Sequence, residues 1–230
     1  MKTPKLSTLT MLLIVMGLFV TCKSKNADNA SSAENASVTV QINTPDDAIQ
    51  ELKNGNKRFL ENILVNTNYK QRIEETKSGQ KPHSVVIACM DSRVPPEIIF
   101  DQGIGNIFSI RVAGNVEDEN VLGSLEYAVE HTGSKLIVVM GHSHCGAVTG
   151  AVKDVELGNL TQLLAQIKPA IVKDASEQNI IDETAKNNVK ITIQDILSKS
   201  EVVSEMVHEG KVKIIGAFYD VETGIVTFME

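Results

Sequence analysis

Three short apolar runs dominate the middle of the chain: Ser84 to Ala88, Ile107 to Val112 and Leu136 to Met140. Each is rich in β-branched residues and too short for a typical helix, so each predicts a strand. Between the second and third, Glu119 to His131 carries Val121, Leu122, Leu125, Tyr127, Ala128 and Val129 at helical spacing, with Gly133 as a stop. The order strand, helix, strand predicts parallel pairing. Upstream, Thr44-Pro45-Asp46-Asp47 supplies a capping hydroxyl, a first-turn proline and two carboxylates for a helix running to about Leu60. Beyond Gly146, Leu160 to Val172 and Ile180 to Leu197 show helical periodicity, and Ser198 with Glu201 predicts a capping box for a helix ended by Gly210. A hairpin closes the chain, with Val212 to Tyr219 and Ile225 to Phe228 joined through Asp220 to Gly224. The expected fold class is therefore α/β, a mostly parallel central sheet of about four to five strands flanked by helices.

The N-terminus has a different pattern. Lys2 and Lys5 precede an uncharged apolar run, Leu9 to Val20, too short to span a bilayer comfortably, so residues 1–22 predict an export signal. The run ends at Thr21-Cys22-Lys23, which resembles a bacterial lipoprotein signal in which Cys22 is lipidated and becomes the mature N-terminus. Cleavage to a soluble secreted form and an uncleaved anchor are the alternatives. All three put the domain outside the cytoplasm, in the periplasm or held by lipid at the cell envelope. Residues 23–43, rich in Ser, Ala and Asn and without periodicity, predict a flexible tether. Residues 44–230 then form one domain, a size that buries a substantial core.

A net charge of -7 and the lack of a basic run in the mature part exclude a nucleic-acid partner held through phosphates. Only three cysteines occur. With Cys22 in the signal, Cys89 and Cys145 remain, as one disulfide or as metal ligands.

The strand pattern bears on that choice. One apolar run leads into Cys89-Met90-Asp91-Ser92-Arg93 and another into Gly141-His142-Ser143-His144-Cys145-Gly146. Loops leaving the carboxyl ends of neighbouring parallel strands converge on one crevice. Cys89, His142 and Cys145 would then offer two thiolates and one imidazole, a zinc donor set with an open fourth position, which marks a catalytic site rather than a structural one. His142, three residues before Cys145, suits a tight turn that aims both donors inward; His144 is read as a rim residue. Asp91 lies two residues after Cys89 and faces the same side of an extended segment, and Arg93 repeats the step.

The pair Cys89-x-Asp91-Ser92-Arg93 and Gly141-His142-Ser143-x-Cys145-Gly146 resembles the β-class carbonic anhydrase signature. Gln80, Phe108, Arg111-Val112-Ala113-Gly114-Asn115, Glu126-Tyr127-Ala128 and Gly216-Ala217-Phe218-Tyr219-Asp220 extend it over the predicted domain. The resemblance implies one zinc per chain and reversible hydration of carbon dioxide to bicarbonate and a proton, by a zinc-generated hydroxide oriented by the Asp91-Arg93 pair. It implies a second state with Asp91 as fourth zinc ligand, a carbon dioxide pocket lined by Phe108, Ala113 and Tyr127, and Gln80 reaching substrate from a neighbouring subunit of a homodimer or homotetramer. Two thiolate ligands cancel the charge of Zn²⁺ and make it a weaker acid, so activity should rise toward alkaline pH. Bicarbonate regulation through a tryptophan before the first ligand has no counterpart, since the chain has no Trp and Val86 and Ala88 stand there. The rival readings are a redox or disulfide role for Cys89 and Cys145, a related zinc hydrolase acting on carbonyl sulfide or carbon disulfide, and a non-catalytic zinc-binding protein.

Overall fold

The computed structural model describes residues 41–173, 176 and 179–229. The export signal, Cys22 and nearly all of the tether lie outside the described residues. No helix among the described residues is long and apolar enough to cross a membrane.

Two strands form the centre of a five-stranded sheet: β1 (Ser84–Ala88) and β3 (Leu136–His142), both buried along their whole length. Their unbroken apolar runs follow from burial on both faces. β2 (Ile107–Arg111) flanks β1, β4 (Lys213–Tyr219) flanks β3, and β5 (Val226–Met229) lies beyond β4. β1, β2, β3 and β4 are mutually parallel, whereas β5 returns antiparallel to β4. Gly224, at φ 78°, takes the left-handed position of the β4–β5 turn. From β1 the chain goes to one side for β2 and returns to the other side for β3. The strand order therefore reverses between β1 and β3, and a crevice opens beyond their carboxyl ends.

Alternate residues feed two cores. Val86, Ala88, Val138 and Met140 pack with Ala48 and Leu52 of α1 (Pro45–Leu60), and with Ile99 of α3 (Pro96–Ile99). Val85, Ile87, Ile137 and Val139 pack with α4 (Glu119–Glu126), α7 (Ile180–Lys199) and α8 (Glu201–His208). A third cluster gathers Cys89 and Cys145 with α5 (Gly146–Val152) and α6 (Gly158–Ile167). Close approach of α7 to the sheet depends on two glycines: a Cβ on Gly141 would sit 2.8 Å from Val189 Cγ2, and one on Gly216 2.9 Å from Val189 Cγ1.

The predicted capping box of α1 forms, with Thr44 Oγ1 accepting from the Asp47 N–H at 3.2 Å and Asp47 Oδ2 accepting from the Thr44 N–H at 2.9 Å. Other boundaries shift. α4 passes into a wide turn at Tyr127–His131, where the Thr132 N–H reaches back five residues to the Tyr127 carbonyl. The helix predicted to run to Val172 ends at Ile167, because Pro169 follows it and Lys168–Ala170 tighten into a 3₁₀ turn. Ser198 does not cap the next helix: α7 runs on to Lys199, and Ser200 accepts from the Val203 N–H instead. α2 (Tyr69–Thr76) was not predicted; it buries none of its residues and so carries no apolar stripe.

Candidate metal centre

β1 and β3 pair in register, Ala88 opposite Met140, so Cys89 leaves β1 beside the end of β3. His142 is the last residue of β3, and Cys145 caps α5 three residues later. One potential ligand atom from each of Cys89, His142 and Cys145 lies within 4.8 Å of the other two, and all three residues are buried. Both thiols are free, so the pair is not a disulfide here.

The donors are prepared for a cation. His142 is fully buried and donates its Nδ1–H to the Ser143 carbonyl at 2.9 Å, which leaves Nε2 as the lone-pair nitrogen. That Nε2 has no partner among the described residues. A buried, unpartnered acceptor is costly unless something fills its place. Cys89 Sγ accepts from the Gly114 N–H at 3.3 Å. Hydrogen bonding with Cys145 draws the Cys89 thiol well below its ordinary pKa, and His142 and the N–H groups of Gly114 and Asp91 act in the same direction against burial. Cys145 is pushed up by the same contact with Cys89 and then by burial. The shifts run in opposite directions because a negative charge on one sulfur opposes a second on its neighbour, and a cation between them relieves that opposition. Two soft thiolates with one imidazole are the donor set zinc takes, so the residues present fit that metal.

Asp91 stands at the mouth of this cluster. Arg93 grips it at both oxygens, Nε to Oδ1 at 3.0 Å and Nη2 to Oδ2 at 2.8 Å, and the Arg93 N–H adds a third bond to Oδ1 at 2.9 Å. The Arg93 side chain above all holds the Asp91 carboxyl far below the usual range against the opposing effect of burial, and the Arg93 backbone N–H and the nearby His142 add to the lowering. In this arrangement Asp91 pairs with Arg93 and does not join the three-residue ligand cluster. Arg93 Nη2 also reaches the His144 carbonyl at 3.5 Å, linking the two loops.

His144 is exposed at the rim, with Nε2 3.1 Å from Glu222. Ala113 lies in the 3₁₀ turn Ala113–Asn115, next to the Gly114 amide that meets Cys89. Phe108 and Tyr127 meet each other edge to face, with centroids 6.1 Å apart, and line an open groove with Ser109, Ile110 and Gly123. Phe108 pairs with Val85, four residues before Cys89 and so about 13 Å away along the strand. Gln80 is exposed in the segment leading into β1. One chain therefore gathers Cys89, His142, Cys145, Asp91, Arg93 and Ala113, and leaves Phe108 and Tyr127 apart from them.

Arg111, which has no separate role in the expectations drawn from the sequence, braces the loop. Its Nε donates to the Cys89 carbonyl at 3.2 Å and its Nη2 to the Asp91 carbonyl. Only the pairing of Ala88 with Arg111 across β1 and β2 brings it there, and nothing in the local sequence signals that.

Comparison with known proteins points one way. The family profile described as carbonic anhydrase matches residues 84–226. Carbonic anhydrase 2 of Mycobacterium tuberculosis is 36% identical over 186 residues, covering 77% of this chain and 89% of that protein. The crystal structure of a β-carbonic anhydrase from Aspergillus fumigatus superposes with a TM-score of 0.67 at 26% identity, covering 80% of this chain and 91% of the other. A structure from a study of two tetrameric β-carbonic anhydrases from Sordaria macrospora gives 0.64 at 25% identity, covering 79% and 96%.

Proposed function

The chain belongs to the β-carbonic anhydrase family, and from that premise we propose that Cys89, His142 and Cys145 hold one zinc ion for the reversible hydration of carbon dioxide, with Asp91 and Arg93 directing the reaction. The observation that carries the assignment is the buried donor cluster, with His142 Nε2 unpartnered and a bidentate Asp91-Arg93 pair at its mouth.

Zinc supplies the Lewis acidity that makes water nucleophilic near neutral pH. The chain's own residues do the rest. Arg93 keeps Asp91 ionised and fixes its plane, and the remaining lone pairs of the carboxylate accept a hydrogen bond from the attacking water. That bond sets which face of the oxygen meets the substrate carbon. Arg111 holds the Cys89 and Asp91 carbonyls, so the ligand and the orienting carboxylate keep a fixed separation. Ala113 presents a small apolar surface suited to a substrate with little hydrogen-bonding capacity.

The pocket is completed, in this proposal, by Gln80, Phe108 and Tyr127 of a second copy in a homodimer or homotetramer. Support comes from Tyr127, 47% exposed beside Phe108 in an open groove far along the strand from Cys89. We place the enzyme outside the cytoplasm, exported by residues 1–22 and anchored through lipid on Cys22, on the strength of the sequence pattern there.

Stopped-flow hydration of carbon dioxide by wild type and Asp91→Ala, each with and without chelator, tests the assignment. The expected result is zinc-dependent activity in the wild type and a zinc-loaded Asp91→Ala variant slowed on the order of 10²-fold. Unchanged activity in the variant sinks the role of Asp91, and activity indifferent to chelator sinks that of the metal.

A further inference from the structure

His142 depends on a carbonyl for its tautomer, and that carbonyl belongs to a residue fixed from outside the metal loop. Ser143 is almost fully buried. Its N–H donates to the Tyr219 carbonyl at 3.0 Å, its hydroxyl accepts from the Val221 N–H at 2.9 Å, and the same hydroxyl donates to Asp220 Oδ1 at 3.3 Å. Three bonds thus tie Ser143 to the start of the β4–β5 turn. Asp220 is itself held in place: Oδ1 also accepts from the Glu222 N–H at 2.8 Å, and Oδ2 accepts from the Thr223 hydroxyl at 2.9 Å. On the far side of Ser143 the chain needs holding, because His144 sits at φ 55°, a left-handed conformation that costs a non-glycine residue energy.

We propose that Asp220 is a positioning residue for the metal centre: through the Ser143 hydroxyl it holds the Ser143 carbonyl where that oxygen fixes the ring of His142 and keeps Nε2 free for the metal. The inference rests on the reading that this centre holds zinc, and extends it to the β4–β5 turn. Partners that orient a ligating histidine affect metal affinity by about 10–100-fold, and the ligand here takes its orientation from a carbonyl whose own residue is pinned by a carboxylate.

The test measures zinc affinity of the full chain by competition with a chromophoric chelator, together with the visible spectrum of the cobalt-substituted protein. Ser143→Ala and Asp220→Ala should each weaken zinc by about 10–100-fold and change the cobalt bands. The double variant should be no weaker than the worse single one, because both act through one path. Asp220→Asn, which keeps an acceptor for the hydroxyl, should recover most of the loss. Thr223→Ala removes one of the bonds that hold Asp220 but leaves the bond from Asp220 to Ser143, and should weaken zinc less than Asp220→Ala does. Wild-type affinity in both alanine variants, losses that multiply in the double variant, or an equal loss in Thr223→Ala would each overturn the proposal. If the wild type binds no zinc, the reading of the centre fails first, and the variants are not needed to show it.

Discussion

Asp91 owes its chemistry to Arg93. An isolated aspartate titrates near about 3.9; the guanidinium and the Arg93 amide hold this one far lower, so the carboxylate stays charged through the whole acidic range in which an enzyme is assayed. Arg93→Ala should therefore cost more than Asp91's orientation alone. Hydration measured by stopped flow should fall by about 10–100-fold, with zinc content unchanged in metal analysis. The pairing also has a pH signature in stability. A carboxyl with a depressed folded pKa adds stability that is fully present above its unfolded value and is lost as pH falls toward the folded value. The difference in thermal midpoint between wild type and Arg93→Ala should thus be constant from pH 6 to 8 and shrink below about pH 4. A gap that widened on acidification would contradict the direction of the shift. Because Arg93 is half exposed, the gap should be small.

Elements meet at the metal through strand ends, and α7 keeps those ends in place. Val189 of α7 presses one γ-methyl toward Gly141 on β3 and the other toward Gly216 on β4. Gly141 is the residue before His142, the proposed ligand, so crowding there should reach the metal centre directly. Gly141→Ala should destabilise the chain by about 1–3 kcal/mol through overpacking, read from the midpoint of urea unfolding. Val189→Ala should also destabilise, by leaving a void in the same place. Combined, the two changes should cost clearly less than their sum, since the new methyl enters the space the valine leaves. Strict additivity would mean that the close approach does not control the packing of α7.

At the scale of the molecule, the centre joins two separate stretches of chain, the loops that follow β1 and β3, into one buried cluster, and the metal should act as a cross-link for them. Removing it leaves two buried sulfurs whose negative charges oppose each other and a buried imidazole nitrogen without a partner among the described residues. Chelation is expected to lower the thermal midpoint, by an amount that grows with zinc concentration over its dissociation constant, about 4 kcal/mol at a thousandfold excess. Cys89 and Cys145 should react with a thiol reagent only after chelation. A melting curve indifferent to chelator would mean that the cluster does not bind metal in the folded chain.

Much of this was legible in the sequence, for a physical reason. β1 and β3 are buried on both faces, so their sequences must be unbroken apolar runs, and the residues just beyond such runs are the ones that can carry chemistry. Cys89, Asp91, Arg93, His142 and Cys145 all stand there, and short spacing within each loop sets which of them point the same way. The capping box of α1 and the hairpin turn at Gly224 were equally readable, since each depends on neighbours in the chain. What tertiary structure alone decided lies between segments. The register of β1 against β2 puts Arg111 on the Cys89 and Asp91 carbonyls, the end of β4 brings Asp220 to Ser143, and the proximity of two thiols draws Cys89 down and pushes Cys145 up. Those contacts join residues 20 to 77 positions apart, and no local periodicity encodes them.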